Sequence, residues 1–408
     1  MFEYPNKLNI IFDKLNKNMI KSIIIGGYVR DKMLNLNSKD IDIEVYGVNS
    51  LLELEKILKE FGEVNSVGKS FGVCKLRFHE LDIDFSLPRE DSKISSGHRG
   101  FLVTTNSKLD FITASSRRDF SMNAIGYDVI EKKLLDPFHG IKDIKNKTIK
   151  AVDLSKFDED PLRVLRAVQF AARFEFTLDN ALLNKCKKMV KEKLLDELPK
   201  ERLFEEIKKL LLKSNKPSLG ILLLKELQST LYFDEFEEIL DALDYLAKQN
   251  IEDSNIKLTL MLALLSYKFQ EDQNSNLLNL LTEKKELHKN ISSLLKSKNT
   301  FNIQQFSDYD LYKLATYVNI ENFLCLLNAV TLGKESEQIQ LIVSKAKKLK
   351  ILHTQAKALI HGKDLIKLGY KPSTKFSTLL AKAYDAQMHS QFINYNEALQ
   401  WIKIHLKI

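Results

Sequence analysis

The chain has 408 residues, too many for one core, because single hydrophobic cores stop growing at about 250–300 residues and longer chains divide into domains. Its 44% hydrophobic and 28% charged residues are those of a globular protein and exclude a disordered, collagen-like or disulfide-stapled chain. The formal net charge of +8 favours a polyanionic partner, while Cys74, Cys186 and Cys325, odd in number and without a CxxC spacing, read as ordinary buried thiols.

Nearly all the strand-like text lies in the first 140 residues. Ser22 to Gly27 is a β-branched run into a Gly-Gly turn, Asp40 to Tyr46 alternates acid and apolar, and Gly72 to Phe78 and Leu81 to Leu87 alternate likewise. These predict strands of one small sheet. From about Pro161 the spacing becomes helical and the rest of the chain reads as all helix. Asp158 to Arg173 opens with acids and Pro161 in a first-turn position, then places Leu162, Leu165, Val168 and Ala172 on one face. Apolar runs such as Ile221 to Leu224 and Leu260 to Leu265 fall far short of the roughly 18 residues of a membrane span, and no signal-peptide pattern follows Met1. A soluble, cytoplasmic protein without a membrane partner is therefore expected.

The chemistry-bearing residues cluster early. In a strand, Asp40, Asp42 and Glu44 point one way while Ile41 and Ile43 enter the core. Three like charges on one face repel unless a cation lies among them, although a solvated edge strand would show the same pattern. Asp82 and Asp84 repeat the arrangement on a later strand. If the two strands neighbour each other, the carboxylates suit Mg²⁺ and an in-line displacement at phosphorus. Gly26-Gly27, followed by a helix start at Tyr28-Val29-Arg30-Asp31, lets the backbone approach an anion. Arg117-Arg118-Asp119 with Asn123 adds two guanidinium forks, a carboxylate and an amide able to grip triphosphate and ribose.

Five segments in order, Gly26-Gly27-Tyr28-Val29-Arg30-Asp31, Asp40-Ile41-Asp42, Arg117 to Ala124, Leu135-Asp136-Pro137-Phe138-His139-Gly140 and Glu159-Asp160-Pro161-Leu162-Arg163-Val164-Leu165-Arg166, resemble the motifs of the class II tRNA nucleotidyltransferase and poly(A) polymerase family. The resemblance implies an α+β fold: a nucleotidyltransferase head with a small mixed sheet (residues 1–140), then an all-α neck (141–210), body (211–335) and tail (336–408). It implies Asp40 and Asp42 as metal-binding carboxylates and Asp84 as the third catalytic acid, with Asp82 as the competing choice. Gly26, Gly27, Arg30, Arg117, Arg118, Asp119, Asn123, Asp160, Arg163 and Arg166 would bind nucleotide, and Asp136 to Gly140 would hinge head to neck. The implied cofactor is Mg²⁺. The implied partners are CTP, ATP and the tRNA 3′ end, with no obligate protein partner.

Asp160 and Arg163 can also be argued from hydrogen bonding. Three apart on one helix face, they could read a planar ring edge together: Asp accepts from the amino group of cytosine or adenine, and Arg donates to the ring nitrogen beside it. Uracil and guanine reverse that pairing and leave buried polar groups opposed. The implied activity is template-independent addition of C, C and A to tRNA. A poly(A) polymerase, a CC-only or A-only enzyme and a non-catalytic RNA-binding protein are the alternatives. Val67 to Val73 favours the tRNA branch, because the polymerase branch tends to carry a basic Gly-Arg-Arg-Phe type run there. Glu90 to Ser116 reads as a flexible segment that bears on where addition stops. Many relatives carry an HD phosphohydrolase signature after the neck; Leu262 to Lys268 holds no His-Asp pair, and that activity is not expected.

Overall fold

The computed structural model describes residues 2–65, 72–93, 101–106, 108–371 and 374–405. The chain forms two compact units, Met1–Tyr232 and Phe233–Ile408. The expected branch-distinguishing run lies mainly outside the described residues, at Val67 to Phe71.

The first unit is built on a mixed sheet. After α1 (Asn9–Lys17) comes β1 (Lys21–Ile25), whose Ile23, Ile24 and Ile25 are buried on both faces of a central strand. A tight turn leads into α2 (Gly27–Met33) and β2 (Ile41–Tyr46), followed by α3 (Leu51–Leu58), capped by the Ser50 hydroxyl accepting from the Glu53 amide. Then come β3 (Glu63–Asn65), β4 (Val73–Phe78), β5 (Leu81–Ser86), β6 (Arg89–Lys93) and β7 (Phe101–Thr105). Next come α4 (Phe111–Ser116), β8 (Gly126–Asp128), β9 (Lys133–Leu135) and α5 (Gly140–Lys145). The seven-stranded order is β3-β4-β5-β2-β1-β8-β9; β2 and β5 run parallel and the other neighbours antiparallel. β6 and β7 pair separately, so the segment expected to be flexible contains a strand pair and a helix.

Beyond α5, β10 (Thr148–Ile149) precedes α6 (Leu162–Phe174), β11 (Thr177–Leu178), α7 (Asn180–Lys191), α8 (Lys200–Lys213) and α9 (Pro217–Glu226). α6 packs chiefly on α8 and α9 and buries Leu162, Val164, Leu165, Val168 and Phe170. The expectation of unbroken helix after Pro161 needs one correction. Glu175 takes the left-handed conformation that ends α6, and Thr177-Leu178 then pairs in parallel with Thr148-Ile149 before Asp179 caps α7.

The second unit holds ten α-helices among the described residues, from Leu240–Ala247 to Tyr395–His405. Its central helix, Ser254–Leu265, buries Leu260 to Leu264 almost completely, which is why it shows no polar face. The last three helices close a smaller core around Leu365, Ala398 and Ile402. Among the described residues no helix is long and apolar enough to cross a membrane.

Candidate active site

The site starts at the Gly26–Gly27 turn between β1 and α2. Gly26 has φ +68°, and a Cβ there would come within 2.7 Å of Arg118 Nη1. The missing side chain therefore serves backbone and neighbour together. The Arg118 guanidinium fills that space and donates to the Asn123 carbonyl at 3.2 Å.

The parallel register of β2 and β5 sets Asp42 beside Asp84. Asp84 also pairs with Lys75 across β4 at 3.0 Å, while Asp82 is exposed opposite Arg77. Asp40 is exposed and one residue ahead of β2. The three-acid strand face of the sequence reading is divided by what covers it. Glu44 is buried, accepts from the Tyr46 hydroxyl at 2.5 Å and faces Arg117 at 3.4 Å. It is an internal ion-pair partner, not part of the acid group. Burial pushes the Asp42 carboxyl above the usual carboxylate range; Asp84 and Asp40 push it further, and Arg118 opposes them. Hard oxygen donors that repel one another in this way fit a divalent cation. Among the described residues no three acid, His or Cys side chains already converge on one point.

Asp42 opens onto a cavity of about 720 Å³, also lined by Gly27, Arg30, Arg117, Arg118, Asp119, Asn123, Asp160, Arg163 and Arg166. Ten of the thirteen residues singled out from the sequence thus share one space; Gly26, Asp40 and Asp84 are not on its wall. Arg89, Lys156, Asp153 and Glu159 join the lining without having been foreseen. Arg89 follows directly on the Asp82/Asp84 strand, and its basic side chain there is a signal the sequence did carry.

The arginines have distinct anchors. Asp119 accepts from the Phe120 amide and Asn123 Nδ2, both at 2.8 Å, and from Arg166 at 2.5 Å. Desolvation alone would raise its carboxyl, but Arg166 and Asn123 together hold it below the usual carboxylate range. Asp160 is not on the helix, contrary to expectation. The residue before Pro161 is driven from the helical region, and Asp160 has φ −124° and ψ 101°. Its Oδ1 accepts from the Leu162 amide at 3.2 Å and its Oδ2 from Arg202 at 3.3 Å. Arg163, on the first turn of α6, donates to the carbonyls of Lys156 at 2.7 Å and Arg117 at 3.3 Å. The two side chains reach the same cavity from separate supports. Within the Asp136 to Gly140 segment, expected as a hinge, Asp136 accepts from the Gly140 and Ile141 amides at 2.7 and 3.0 Å and so caps α5.

Residues 22–150 match the family model of the Poly A polymerase head domain, and residues 175–240 that of the probable RNA and SrmB-binding site of polymerase A. These two stretches are similar to the head and RNA-binding regions of the poly(A) polymerase family. The chain is 34% identical to the multifunctional CCA protein of Chromobacterium violaceum over 50% of this chain and 47% of that protein. The chain spans about half the length of the relatives it matches at this level. With the CCA-adding enzyme of Staphylococcus epidermidis the match is 25% identical and covers 98% of this chain and 97% of the relative. The fold matches that of the Bacillus stearothermophilus CCA-adding enzyme in complex with CTP, with a TM-score of 0.78, 20% identity and 98% of each chain covered.

Proposed function

We propose that this protein is a template-independent nucleotidyltransferase that transfers CMP and AMP from CTP and ATP to the 3′ end of tRNA, building or repairing a terminal CCA. The observation that carries the reading is the cavity, which gathers an acid, a set of arginine forks and the Asp160/Arg163 pair within a volume fit for one nucleotide. In this reading the head is residues 1–140, the neck 141–210, the body 211–335 and the tail 336–408.

The residues divide the work by their chemistry. Arg117 and Arg118 bind the triphosphate, which aligns the α-phosphorus. Asp160 accepts from the exocyclic amino group of cytosine or adenine. Arg163, with two N–H bonds given to backbone carbonyls, has others in its five-donor fork for the ring nitrogen. The tRNA 3′ hydroxyl attacks the α-phosphorus, a new P–O bond forms, and the bond to pyrophosphate breaks. Asp40, Asp42 and Asp84 are the residues that would hold a divalent cation, Mg²⁺ in this reading, which supplies charge neutralisation at the attacking and leaving oxygens. Backbone contact with tRNA falls to the tail, where residues 336–408 carry twelve lysines against four acids.

The test offers tRNA ending at the discriminator base, at C and at CC to the protein with each labelled nucleotide. Cytidine on the first two ends and adenosine only on the third support the reading. Runs of adenosine on any end, or no incorporation, would overturn it.

A further inference from the structure

Between the glycine turn and α6 lies a chain of buried polar contacts that runs from the cavity lining, at Arg30 and Asn123, to Asp31 and Arg173, which do not line it. Arg30 and Asp31, both on α2, are 5% exposed. Arg30 donates through Nε and Nη2 to Asp31 Oδ1, at 2.8 and 2.6 Å, and through Nη1 to Asn123 Oδ1 at 2.6 Å. The other oxygen of Asp31 takes Arg173 from the last turn of α6 at 3.3 Å. The Arg30 guanidinium also stands 5.1 and 4.9 Å from the ring centres of Phe170 and Phe174, which stack on each other along α6. Two elements are thus fastened by an ion-pair network where apolar packing would serve cohesion as well or better. What a guanidinium–carboxylate fork adds is direction, since both partners are planar and their donors are fixed in angle.

Both elements contribute to the lining of the cavity. α2 begins at Gly27, and α6 carries Arg163 and Arg166. We propose that Asp31, acting with Arg173, is a positioning residue that fixes the span between the glycine-turn wall and the Arg163 wall, and so sharpens base selection without touching the nucleotide. The inference rests on the functional reading above. A nucleotide held by its phosphates at one wall presents its base edge to the other at a fixed reach. If the span loosens, a base with the correct edge loses its advantage over one with the wrong edge.

The experiment uses the full chain as wild type, Asp31→Asn, Arg173→Gln and Arg173→Lys, with tRNA ending at the discriminator base. kcat and KM are measured separately for CTP and UTP, well below the Tm of each variant. Asp31→Asn should lower the CTP-over-UTP ratio of kcat/KM by about tenfold, chiefly through a higher KM for CTP, as expected for small misplacements remote from the chemistry. Arg173→Gln should lower it less, and Arg173→Lys, which keeps the ion pair, should stay within about twofold of wild type. A lower Tm with an unchanged ratio, or equal losses for CTP and UTP, would show the network to be merely structural and overturn the inference. Should Asp31→Asn fail to fold, the partly exposed Arg173 variants decide by the same ratio. A wild type that incorporates CTP and UTP alike would overturn the functional reading and the inference with it. A discriminating wild type with indifferent variants would overturn the inference alone.

Discussion

Arg163 and Asp160 illustrate how a single side chain can be tested apart from the chemistry around it. The Arg163 side chain rests on two backbone carbonyls, and that of Asp160 on a backbone amide and Arg202, so neither side chain holds the other in place. Arg163→Ala should therefore relax the choice among the four nucleotides by roughly 1–3 kcal/mol while bond formation continues more slowly. The check is kcat/KM for each nucleotide on tRNA ending at the discriminator base; an unaltered preference with a uniformly lower rate would assign Arg163 to structure. The sequence places these two residues together for a reason that is only half right. Their spacing suggests one helix face, but the Pro161 ring removes Asp160 from that helix, and only the cavity brings the pair back into one site. Glu44 departs from its expected role for a related cause. Alternation along a strand shows which residues share a face, not whether Tyr46 and Arg117 will cover it.

Among the elements, α6 and the Arg117–Asn123 segment are joined by the Asp119–Arg166 pair. Asp119 is buried and its carboxyl is depressed, so the stabilisation from its ionised form is fully present above the unfolded carboxylate pKa of about 3.9 and is lost as pH falls through the folded value. Tm should accordingly fall on acidification below about pH 4, and Asp119→Asn should lower Tm at neutral pH while flattening that acid limb. The cost at neutral pH should reach at most about 3 kcal/mol, because the Arg166 side chain is 31% exposed and solvent screens the pair. Thermal unfolding of both proteins across the acid range measures it; parallel curves would contradict the assignment. At this scale the strands are legible. Ser22 to Ile25, Asp42 to Tyr46 and Leu81 to Ser86 fall in β1, β2 and β5, because β-branched runs and period-two alternation act locally. The parallel pairing of β2 with β5 enters the sequence reading only as a condition, and β11 does not enter it at all. Both depend on partners distant in sequence.

Over the whole molecule, charge is unevenly placed. Residues 336–408 hold twelve lysines and four acids, a surplus equal to the formal net charge of +8 of the entire chain. tRNA affinity should fall steeply with salt, and replacing Lys347, Lys348 and Lys350 by Gln should shallow the log Kd against log salt slope by roughly 0.7–0.9 for each phosphate no longer neutralised. Turnover at saturating tRNA should be unaffected. An unchanged slope would place the tRNA backbone against other residues. The head's chemistry is legible because its motifs are short and local, whereas the second unit offers only helical periodicity and its basic bias. The most direct test of the account presents tRNA ending at the discriminator base to wild type and Asp42→Ala with all four nucleotides at equal concentration and divalent cation, and reads the 3′ ends by sequencing. CCA ends are expected from wild type and no added nucleotides from Asp42→Ala, with tRNA binding retained. Adenosine runs from wild type, or CCA ends from Asp42→Ala at the wild-type rate, would contradict it.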